Sequence, residues 1–450
     1  MNMIKSGSSR EIITPPRGVS LAGYFNPRPN TGILDELFVK VMLLEQDGLV
    51  AGLVSFDLCY LGTELIDRMK DELVKRNVKF GDNLIFCATH THTGPQIGNF
   101  FGMEAADKYL DTLIEKTGLA VSRAHQNLAP AELLCTSVDE NPFAFNRRYY
   151  MKNGTVLTNP GKCNPDIVRP EGPVDNEISI FAVKQDGRIS AMAVNIVNHT
   201  DTIGGDLVSA DWPGIMERAI QGEVGHELPV LTLVGCSGNI NHFDVSSKIS
   251  QTNYEEACRI GRGYAGIVLK SMNRLAPLGS AALEVVAEDM EIPFQVISDE
   301  RLAKAKETLK RIGNTSSDKD MTSEGLATGD GPVAKFFAEQ LVAYRENCSG
   351  LSRKFKIIAI RLGDKLSFLS MPGEPFTEIG QSIKKKSPCR SNFIISNAMG
   401  KCGYIPLEEC FGRGGYEILP VVGGAPREDT AERIIESGIG ILKIKLQGEG

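Results

Sequence analysis

Histidines at the ends of two apolar runs are the residues of this sequence best suited to chemistry. His90 and His92 lie in segment 88–95, Ala-Thr-His-Thr-His-Thr-Gly-Pro, directly after a run of apolar residues. If the chain is still extended there, residues i and i+2 point to one side, so both imidazoles face one cavity. His199 ends a second apolar run. Neutral imidazole is a common zinc ligand, so the two strand ends together could hold a metal; hydrogen bonding to loop carbonyls is the structural alternative.

An anionic ligand is available in Glu374, which lies between a glycine and a proline after the apolar run that ends near Met371. That context indicates a constrained turn, although a glutamate in the first turn of a helix, favoured by the helix dipole, fits as well. Tyr404 and Tyr416 flank a glycine-rich loop. Loop tyrosines commonly pack with the ring on apolar surface and the hydroxyl in water.

The composition is that of a globular protein with a large core. The chain has 450 residues, of which 42% are apolar and 23% are charged, so a core can form without disulfides. With 49 Lys and Arg against 56 Asp and Glu, the net charge is −7, which makes nucleic acid an unexpected partner. The ten cysteines include no Cys-x-x-Cys pair, and Cys59 and Cys87, in apolar runs, are expected to be reduced and buried.

No targeting or membrane-spanning segment is predicted. Residues 1–10 contain no apolar stretch of the signal-peptide type, and no later run approaches the ~18 apolar residues of a membrane span. We therefore predict a cytoplasmic protein that acts on a small-molecule substrate. The sequence does not indicate an oligomeric state.

Alternating strand and helix patterns predict an α/β fold, with a mixed β-sheet core flanked by α-helices and an active site at strand ends. The clearest strands are predicted at Leu49–Phe56, Ala281–Ala287 and Asn392–Ser396, and a helix at Asp299–Ile312. We expect one catalytic domain over residues 1–450. A mobile loop is predicted at 314–332, which is rich in Gly, Ser, Thr and Asp. No internal repeat is visible.

Taken in order along the chain, these segments resemble the neutral ceramidase family (neutral/alkaline, non-lysosomal), zinc enzymes that hydrolyse the amide bond of ceramide. The resemblance extends over about residues 10–425, the family's catalytic domain, and no counterpart of its C-terminal immunoglobulin-like domain is expected. The matching segments are Ile13–Gly18, Leu21–Tyr24, Ser55–Asp57, Ala88–Pro95, Asn146–Arg147, His199, Ser209–Gly214, Pro372–Glu374, Tyr404 and Tyr416–Glu417.

The resemblance implies roles for seven of these residues. It implies one zinc ion per chain, held by the ligands His90, His199, Glu374 and Tyr404. Such a set leaves a position open for water or a substrate carbonyl, as a catalytic zinc requires. The remaining implied catalytic residues are His92 as general base or acid, with Arg147 and Tyr416 facing the developing oxyanion.

Other residues near these motifs have less certain roles. Asp57 is one candidate to orient His90 or His92 by a hydrogen bond. His242 is either an active-site residue or a surface-loop residue. Trp212, the single tryptophan, could line a pocket.

One segment departs from the family. In Val234–His242 we align Gly235 with the family's catalytic serine. A glycine there would open space beside the metal, and from this we expect little activity on ceramide and a smaller or more polar soluble substrate.

The leading hypothesis is therefore a zinc-dependent hydrolase that cleaves the C–N amide bond of an N-acyl or related small soluble compound through metal-bound hydroxide. One alternative is a metal enzyme of the same scaffold that acts on an ester or a carbohydrate-derived substrate. Another is a metal-binding protein without catalysis.

Overall fold

Three mixed β-sheets and their flanking helices make up the fold. The computed structural model describes residues 3–98, 106–313 and 331–444. The α/β prediction is confirmed, with parallel and antiparallel pairs in each of the three sheets. The loop predicted at 314–332 lies outside the described residues, apart from 331 and 332, which begin a helix. No described helix has the length and apolar character needed to cross a membrane.

The first sheet is built from three antiparallel strands, and a fourth strand, reached through a helix, runs parallel to the third. A second helix follows the fourth strand and packs on the first strand. The elements in chain order are β1 (Lys5–Ile12), β2 (Phe38–Gln46), β3 (Leu49–Phe56), α1 (Thr63–Lys75), β4 (Leu84–Ala88) and α2 (Asp107–Gln126).

The second sheet has the same order of pairing, with three antiparallel strands, a crossover helix and a parallel fourth strand. Its elements are β5 (Glu132–Asp139), β6 (Glu177–Gln185), β7 (Arg188–Ile196), α3 (Asp211–Val224), β8 (Val230–Val234) and α4 (Tyr254–Ser271).

The third sheet repeats the pattern again, and the described part of the chain between its first two strands contains two extra helices. Its elements are β9 (Leu283–Pro293), α5 (Asp299–Ile312), α6 (Gly331–Asn347), β10 (Ser352–Leu362), β11 (Leu366–Ser370), α7 (Thr377–Lys386), β12 (Ser391–Ile395) and α8 (Thr430–Lys443). The chain therefore contains three units of one topology, a repeat that the sequence does not show.

Short strands join the loops between these units. The pairs that bear on the site are Phe145–Asn146 with Ile240–Asn241 and Glu374–Pro375 with Tyr404–Ile405. The remaining short strands are Gly32–Ile33 with Leu207–Val208, Ala129–Pro130 on β1, Ala276–Pro277 on β5, and a small sheet of Arg148–Met151, Val156–Thr158 and Ile167–Pro170.

The parallel edge strands of the three units meet in the interior. Cys87 of β4 pairs with Ala398 just beyond β12, and the backbone N–H of Ser396 donates to the carbonyl of Val234 in β8 at 2.8 Å. All five residues of β4 are buried, as expected for a parallel strand covered on both faces. The carboxyl ends of these strands therefore open into one region, a common place for a ligand in α/β sheets.

A buried ion triad connects the first two units. Lys40 of β2 is fully buried, with its Nζ 3.2 Å from Asp57 Oδ2 and 2.9 Å from Glu217 Oε2 of α3. Asp57 also accepts the N–H of Phe38 at 2.9 Å. The candidate role of Asp57 in orienting His90 or His92 is therefore wrong, because its two oxygens are bound to Lys40 and the backbone.

Candidate metal centre and active site

His90, His199 and Glu374 come from the three different units and converge at the strand ends. They follow β4, β7 and β11 respectively. One donor atom from each of them lies within 4.8 Å of the other two. The Nε2 of His90 is 3.1 Å from the Nε2 of His199 and 3.3 Å from Glu374 Oε2. That spacing fits three ligands of one divalent cation.

The backbone at His90 is left-handed rather than extended, with φ of 69°. The assumption of a straight chain from His90 to His92 is therefore wrong, although the two side chains do converge, with 3.3 Å between their Nε2 atoms. The Nδ1 of His90 lies 2.7 Å from the carbonyl of Cys59. That carbonyl can only accept, so Nδ1 donates to it, and Nε2 is the nitrogen that is placed to bind a metal after losing its proton.

The buried polar atoms of this cluster are suited to binding a cation. His199 Nδ1 is buried and has no hydrogen-bond partner among the described residues, and the buried Oε2 of Glu374 has His90 Nε2 at 3.3 Å. Burial raises the pKa of Glu374, but His90, Arg147 and His92 together bring it below its usual value, so the carboxylate is charged. Burial lowers the pKa of His199 well below its usual value, and its imidazole is neutral. Burial lowers the pKa of His90, but Glu374 and Cys59 raise it to well above its usual value, so a metal that binds here would displace a proton from His90. A carboxylate and imidazoles form a donor set suited to zinc.

Trp212 fixes the segment that contains His199. Its indole Nε1 donates to the His199 carbonyl at 2.8 Å, and the whole side chain is buried. The prediction that Trp212 could line a pocket is wrong, since its ring packs on Tyr264 in the core, with 4.9 Å between centroids.

His92 lies beside the three converging residues. Its backbone N–H donates to the carbonyl of Thr200 at 3.2 Å, which ties the loop after β4 to the loop after β7. Its Nδ1 is 3.6 Å from Asp201 Oδ2, whose other oxygen accepts the Tyr24 hydroxyl at 2.6 Å. Burial, followed by His90, lowers the pKa of His92 well below its usual value, so the ring is neutral and can accept a proton.

Gly23 leaves the space that the His92 ring fills. A Cβ at position 23 would lie 2.5 Å from His92 Cγ, and the φ of Gly23 is +93°. Only glycine combines that conformation with such a close approach.

Tyr404 reaches the site through the short parallel pair that aligns it with Glu374. The rings of Tyr404 and Tyr416 meet edge to face, with 5.7 Å between centroids. The guanidinium carbon of Arg147 lies 5.1 Å and 5.3 Å from those two ring centroids. Burial raises the pKa of Tyr404 well above its usual value, so its phenol is protonated here.

Arg147 is fixed by two contacts. Its Nε is 3.1 Å from Glu417 Oε1, and a terminal nitrogen donates to the carbonyl of Gly238 at 2.6 Å. All seven residues assigned from the family motifs are therefore in one neighbourhood: His90, His92, Arg147, His199, Glu374, Tyr404 and Tyr416 line the two cavity lobes described next.

The cavity has two lobes that share the walls Gly23, Phe25, His92, Tyr404 and Tyr416. The side chains of the first, called here the apolar lobe, also include Tyr60, Phe337, Lys401, Leu419, Val421 and Pro426. The second, the polar lobe, is lined by Tyr24, Arg147, Asn159, His199, Asp201, Asn241 and His242, among others.

Gly235 does not face this cavity, which corrects the expectation that it opens space beside the metal. It lines neither lobe, and a Cβ there would lie 2.6 Å from Cγ2 of Val197. From the same segment it is Asn241 and His242 that line the polar lobe. The expectation of weak activity on ceramide depended on Gly235 and therefore has no support from the structure.

His242 is a buried cavity residue rather than a surface one. It is 1% exposed, and its Nε2 lies 2.6 Å from the carbonyl of Gln251. Three other lining residues, Asp201, Asn397 and Lys401, were not foreseen. None belongs to a motif or has a diagnostic spacing, and only the proximity of Asp201 to His199 in the sequence could have drawn attention to it.

Comparison with known proteins supports the resemblance. No family model matches the chain. In sequence it is 24% identical to neutral ceramidase A of Dictyostelium discoideum over an alignment of 262 residues. The alignment covers 52% of this chain. The match spans 34% of that protein, about a third of its length.

In structure the chain is similar to neutral ceramidase from Pseudomonas aeruginosa, with a TM-score of 0.71, 16% identity, and coverage of 98% of this chain and 74% of that one. It is similar as well to a ceramidase complexed with C2, with a TM-score of 0.70, 16% identity, and coverage of 98% and 75%. At this identity the structures establish a shared fold.

Proposed function

Since the chain resembles the neutral ceramidases in sequence and shares their fold, we propose that it is a metal-dependent hydrolase that cleaves C–N amide bonds and uses one zinc ion per chain. The observation that supports this best is the cluster of His90, His199 and Glu374, whose donor atoms lie within 4.8 Å of one another. The charged carboxylate of Glu374 in that cluster supports it further.

In this proposal His90, His199, Glu374 and Tyr404 hold the metal. When bound, zinc supplies Lewis-acid chemistry, lowering the pKa of water and polarising a carbonyl. The Nε2 of His90, which faces His199 and Glu374, and the charged Glu374 suit this role. Tyr404 is the member that is hardest to deprotonate, because burial raises the pKa of its phenol well above its usual value.

The remaining residues act on the substrate. Hydrolysis adds water to the amide carbon and expels the amine, so one group must take a proton from water and return it to nitrogen. His92 is neutral and lines both lobes, and we assign it this transfer. Arg147 and Tyr416 would donate hydrogen bonds to the carbonyl oxygen as it gains charge.

The substrate is an N-acyl compound, with the scissile bond at the junction of the two lobes. A second candidate is an ester or a carbohydrate-derived compound, favoured by the polar lobe, where Asn159, Asn241 and His242 offer groups that bind hydroxyls. Ceramide itself stays among the substrates to be tested.

Elemental analysis of the purified protein tests the metal assignment. We expect about one zinc per chain in the wild type and loss of the metal in His90→Ala and His199→Ala. His125→Ala, an exposed histidine of α2, is the matched control and should retain zinc. Full metal occupancy in both site variants would show that the ligands are misassigned.

Turnover of a panel of N-acyl amides, including ceramide, and of matching esters tests the reaction. We expect the zinc-loaded wild type to hydrolyse at least one amide. A protein that binds zinc at this site but hydrolyses no member of the panel would be a metal-binding protein rather than a hydrolase.

A further inference from the structure

The two ring nitrogens of His92 have different neighbours. Its Nε2 is 3.3 Å from the Nε2 of His90, so this side of the ring faces the candidate metal centre. Its Nδ1 is buried and has no hydrogen-bond partner among the described residues. The carboxyl group of Asp201 faces Nδ1, with Oδ2 at a distance of 3.6 Å. A neutral imidazole has one N–H, which lies on one of these two sides.

The side that carries the proton decides whether His92 can act as the base of the proposed reaction. A proton on Nε2 would leave no lone pair on the side of the metal centre, so the base must carry its proton on Nδ1. A buried N–H needs an acceptor, and Oδ2 of Asp201 is placed to provide one. The distance of 3.6 Å is longer than a hydrogen bond, and contacts between catalytic groups commonly shorten when a substrate binds.

Asp201 is itself held in place from the other side. Its Oδ1 accepts the hydroxyl of Tyr24 at 2.6 Å, which leaves Oδ2 for His92. The guanidinium carbon of Arg28 lies 3.9 Å from the centroid of the Tyr24 ring. Arg28 also donates to the carbonyl of His92 at 2.6 Å, so the loop that carries Tyr24 is tied to the backbone of His92. The carboxyl group and the imidazole are therefore fixed relative to each other.

The acceptor at Oδ2 does not depend on the charge of Asp201. Burial raises the pKa of this carboxyl group, whereas the hydrogen bond from Tyr24 lowers it. A carboxyl group that carries a proton on Oδ1 still has a carbonyl oxygen at Oδ2. The contact with His92 follows from the arrangement of the atoms in either state.

We propose that Asp201 is a positioning residue for His92. It accepts a hydrogen bond from Nδ1 and so keeps the lone pair of Nε2 directed at the reacting water, while Tyr24 holds the carboxyl group in place. The inference rests on the proposed role of His92 as the base, and it assigns a role to Asp201, which belongs to none of the family motifs.

Magnetic resonance of the zinc-loaded protein, with histidine isotopically labelled at its ring nitrogens, reports the tautomer directly. Proton–nitrogen correlations show which nitrogen of each ring carries the proton, and the chain has only six histidines. The signals of His92 are identified by their loss in His92→Ala. We expect a protonated Nδ1 and an unprotonated Nε2 in the wild type.

Asp201→Asn tests the acceptor without a change in the size of the side chain. The Tyr24 hydroxyl would donate to the amide oxygen, so the amide N–H₂ would face Nδ1 of His92 and favour a proton on Nε2. We expect the tautomer to reverse and kcat for an N-acyl amide to fall on the order of 10²-fold or more, with unchanged zinc content. Asp67→Asn, an exposed aspartate of α1, is the control and should match the wild type in both measurements.

A double variant tests the contribution of Tyr24. In Asp201→Asn with Tyr24→Phe no hydroxyl fixes the amide, so its oxygen can turn toward Nδ1 of His92. We expect the proton to return to Nδ1 and kcat to rise above that of Asp201→Asn. A role of Asp201 in packing alone predicts no such recovery, because the second change removes a further hydrogen bond.

The outcomes separate the two proposals. If His92 of the wild type carries its proton on Nε2, or if Asp201→Asn keeps the proton on Nδ1, the inference is wrong and the hydrolase proposal stands. If no amide is hydrolysed, the hydrolase proposal fails, and the tautomers in the wild type and Asp201→Asn alone decide whether Asp201 orients the ring.

Discussion

His90 has an unusual backbone for a histidine, and the site depends on it. Its φ of 69° is left-handed, a conformation that costs about 1 kcal/mol or more outside glycine. The turn lets His90 donate to the Cys59 carbonyl while His92, two residues on, approaches it from the side. The sequence predicted that these two rings share a cavity, but local spacing could not show the turn that brings them together.

The variant His92→Ala tests whether His92 acts as a general base or as a metal ligand. We expect the variant to bind zinc like the wild type, since His92 is not one of the proposed ligands, and to lose on the order of 10²-fold or more in turnover of an N-acyl amide. Metal content and kcat are to be measured on the same preparation. Loss of zinc would make His92 a ligand, and unchanged turnover would remove it from the mechanism.

The substitution Gly235→Ser should lower the free energy of unfolding and leave the rate of the reaction unchanged. The added Cβ would lie 2.6 Å from Val197 Cγ2 in a fully packed region, and overpacking of this kind costs about 1–3 kcal/mol. We expect a lower urea midpoint with kcat/KM per folded molecule close to the wild-type value. A gain in ceramide hydrolysis would restore Gly235 to the active site.

At the scale of elements, runs of apolar residues are a good guide to strands. They are a poor guide to strands made of polar residues, which packing and pairing hold in place. The strand β3 and the helix α5 have the predicted bounds. The strand β1 was not foreseen because its sequence, Lys-Ser-Gly-Ser-Ser-Arg-Glu-Ile, is mostly polar. It is buried under α2, and Gly7 lets the helix approach so closely that a Cβ there would overlap the Ala124 carbonyl.

The strand β9 shows a related limit. Its prediction ended at Ala287, but the strand continues to Pro293 through Glu288–Glu291, whose side chains are mostly exposed. Antiparallel pairing with β10 extends along the whole strand and holds the polar half in place. Such pairing comes from a segment far away in the sequence, so the local pattern cannot reveal it.

Lys40→Met should show how strongly β2, β3 and α3 depend on their shared ion triad. The change leaves Asp57 and Glu217 buried without their cation, and breaking a buried pair in this way costs about 3–5 kcal/mol. Denaturant unfolding measures the loss. Lys75→Met, whose lysine side chain is 74% exposed, is the control and should change stability little.

A compensated variant tests the reason for that loss. Lys40→Met combined with Asp57→Asn and Glu217→Gln removes all three charges, so it should recover part of the stability lost in the single variant. If the triple variant is no more stable than Lys40→Met, the cost comes from packing and not from unpaired charge.

Across the whole molecule, the three units share topology but not sequence. The residues directly after the third strand of each unit are Asp57, Val197 and Met371, which have no chemistry in common. Strand order and pairing are the shared features, and these are set by long-range contacts that a single sequence does not display. The proposed ligands, in contrast, could be selected from the sequence because rare histidines at strand ends and a glutamate in a constrained turn stand out locally.

Because His90, His199 and Glu374 each belong to a different unit, a metal bound to them would connect all three. An ion that binds only the folded state stabilises it by RT ln(1 + [L]/Kd), about 2.7 kcal/mol when free zinc is 100-fold above Kd. We therefore expect a chelator to lower the Tm of the purified protein, and added zinc to restore it. His199→Ala should have a Tm that neither treatment changes, whereas His125→Ala should respond like the wild type. An equal chelator effect on His199→Ala and the wild type would place the stabilising metal elsewhere, and no effect on the wild type would mean that the three units are held together by their packing alone.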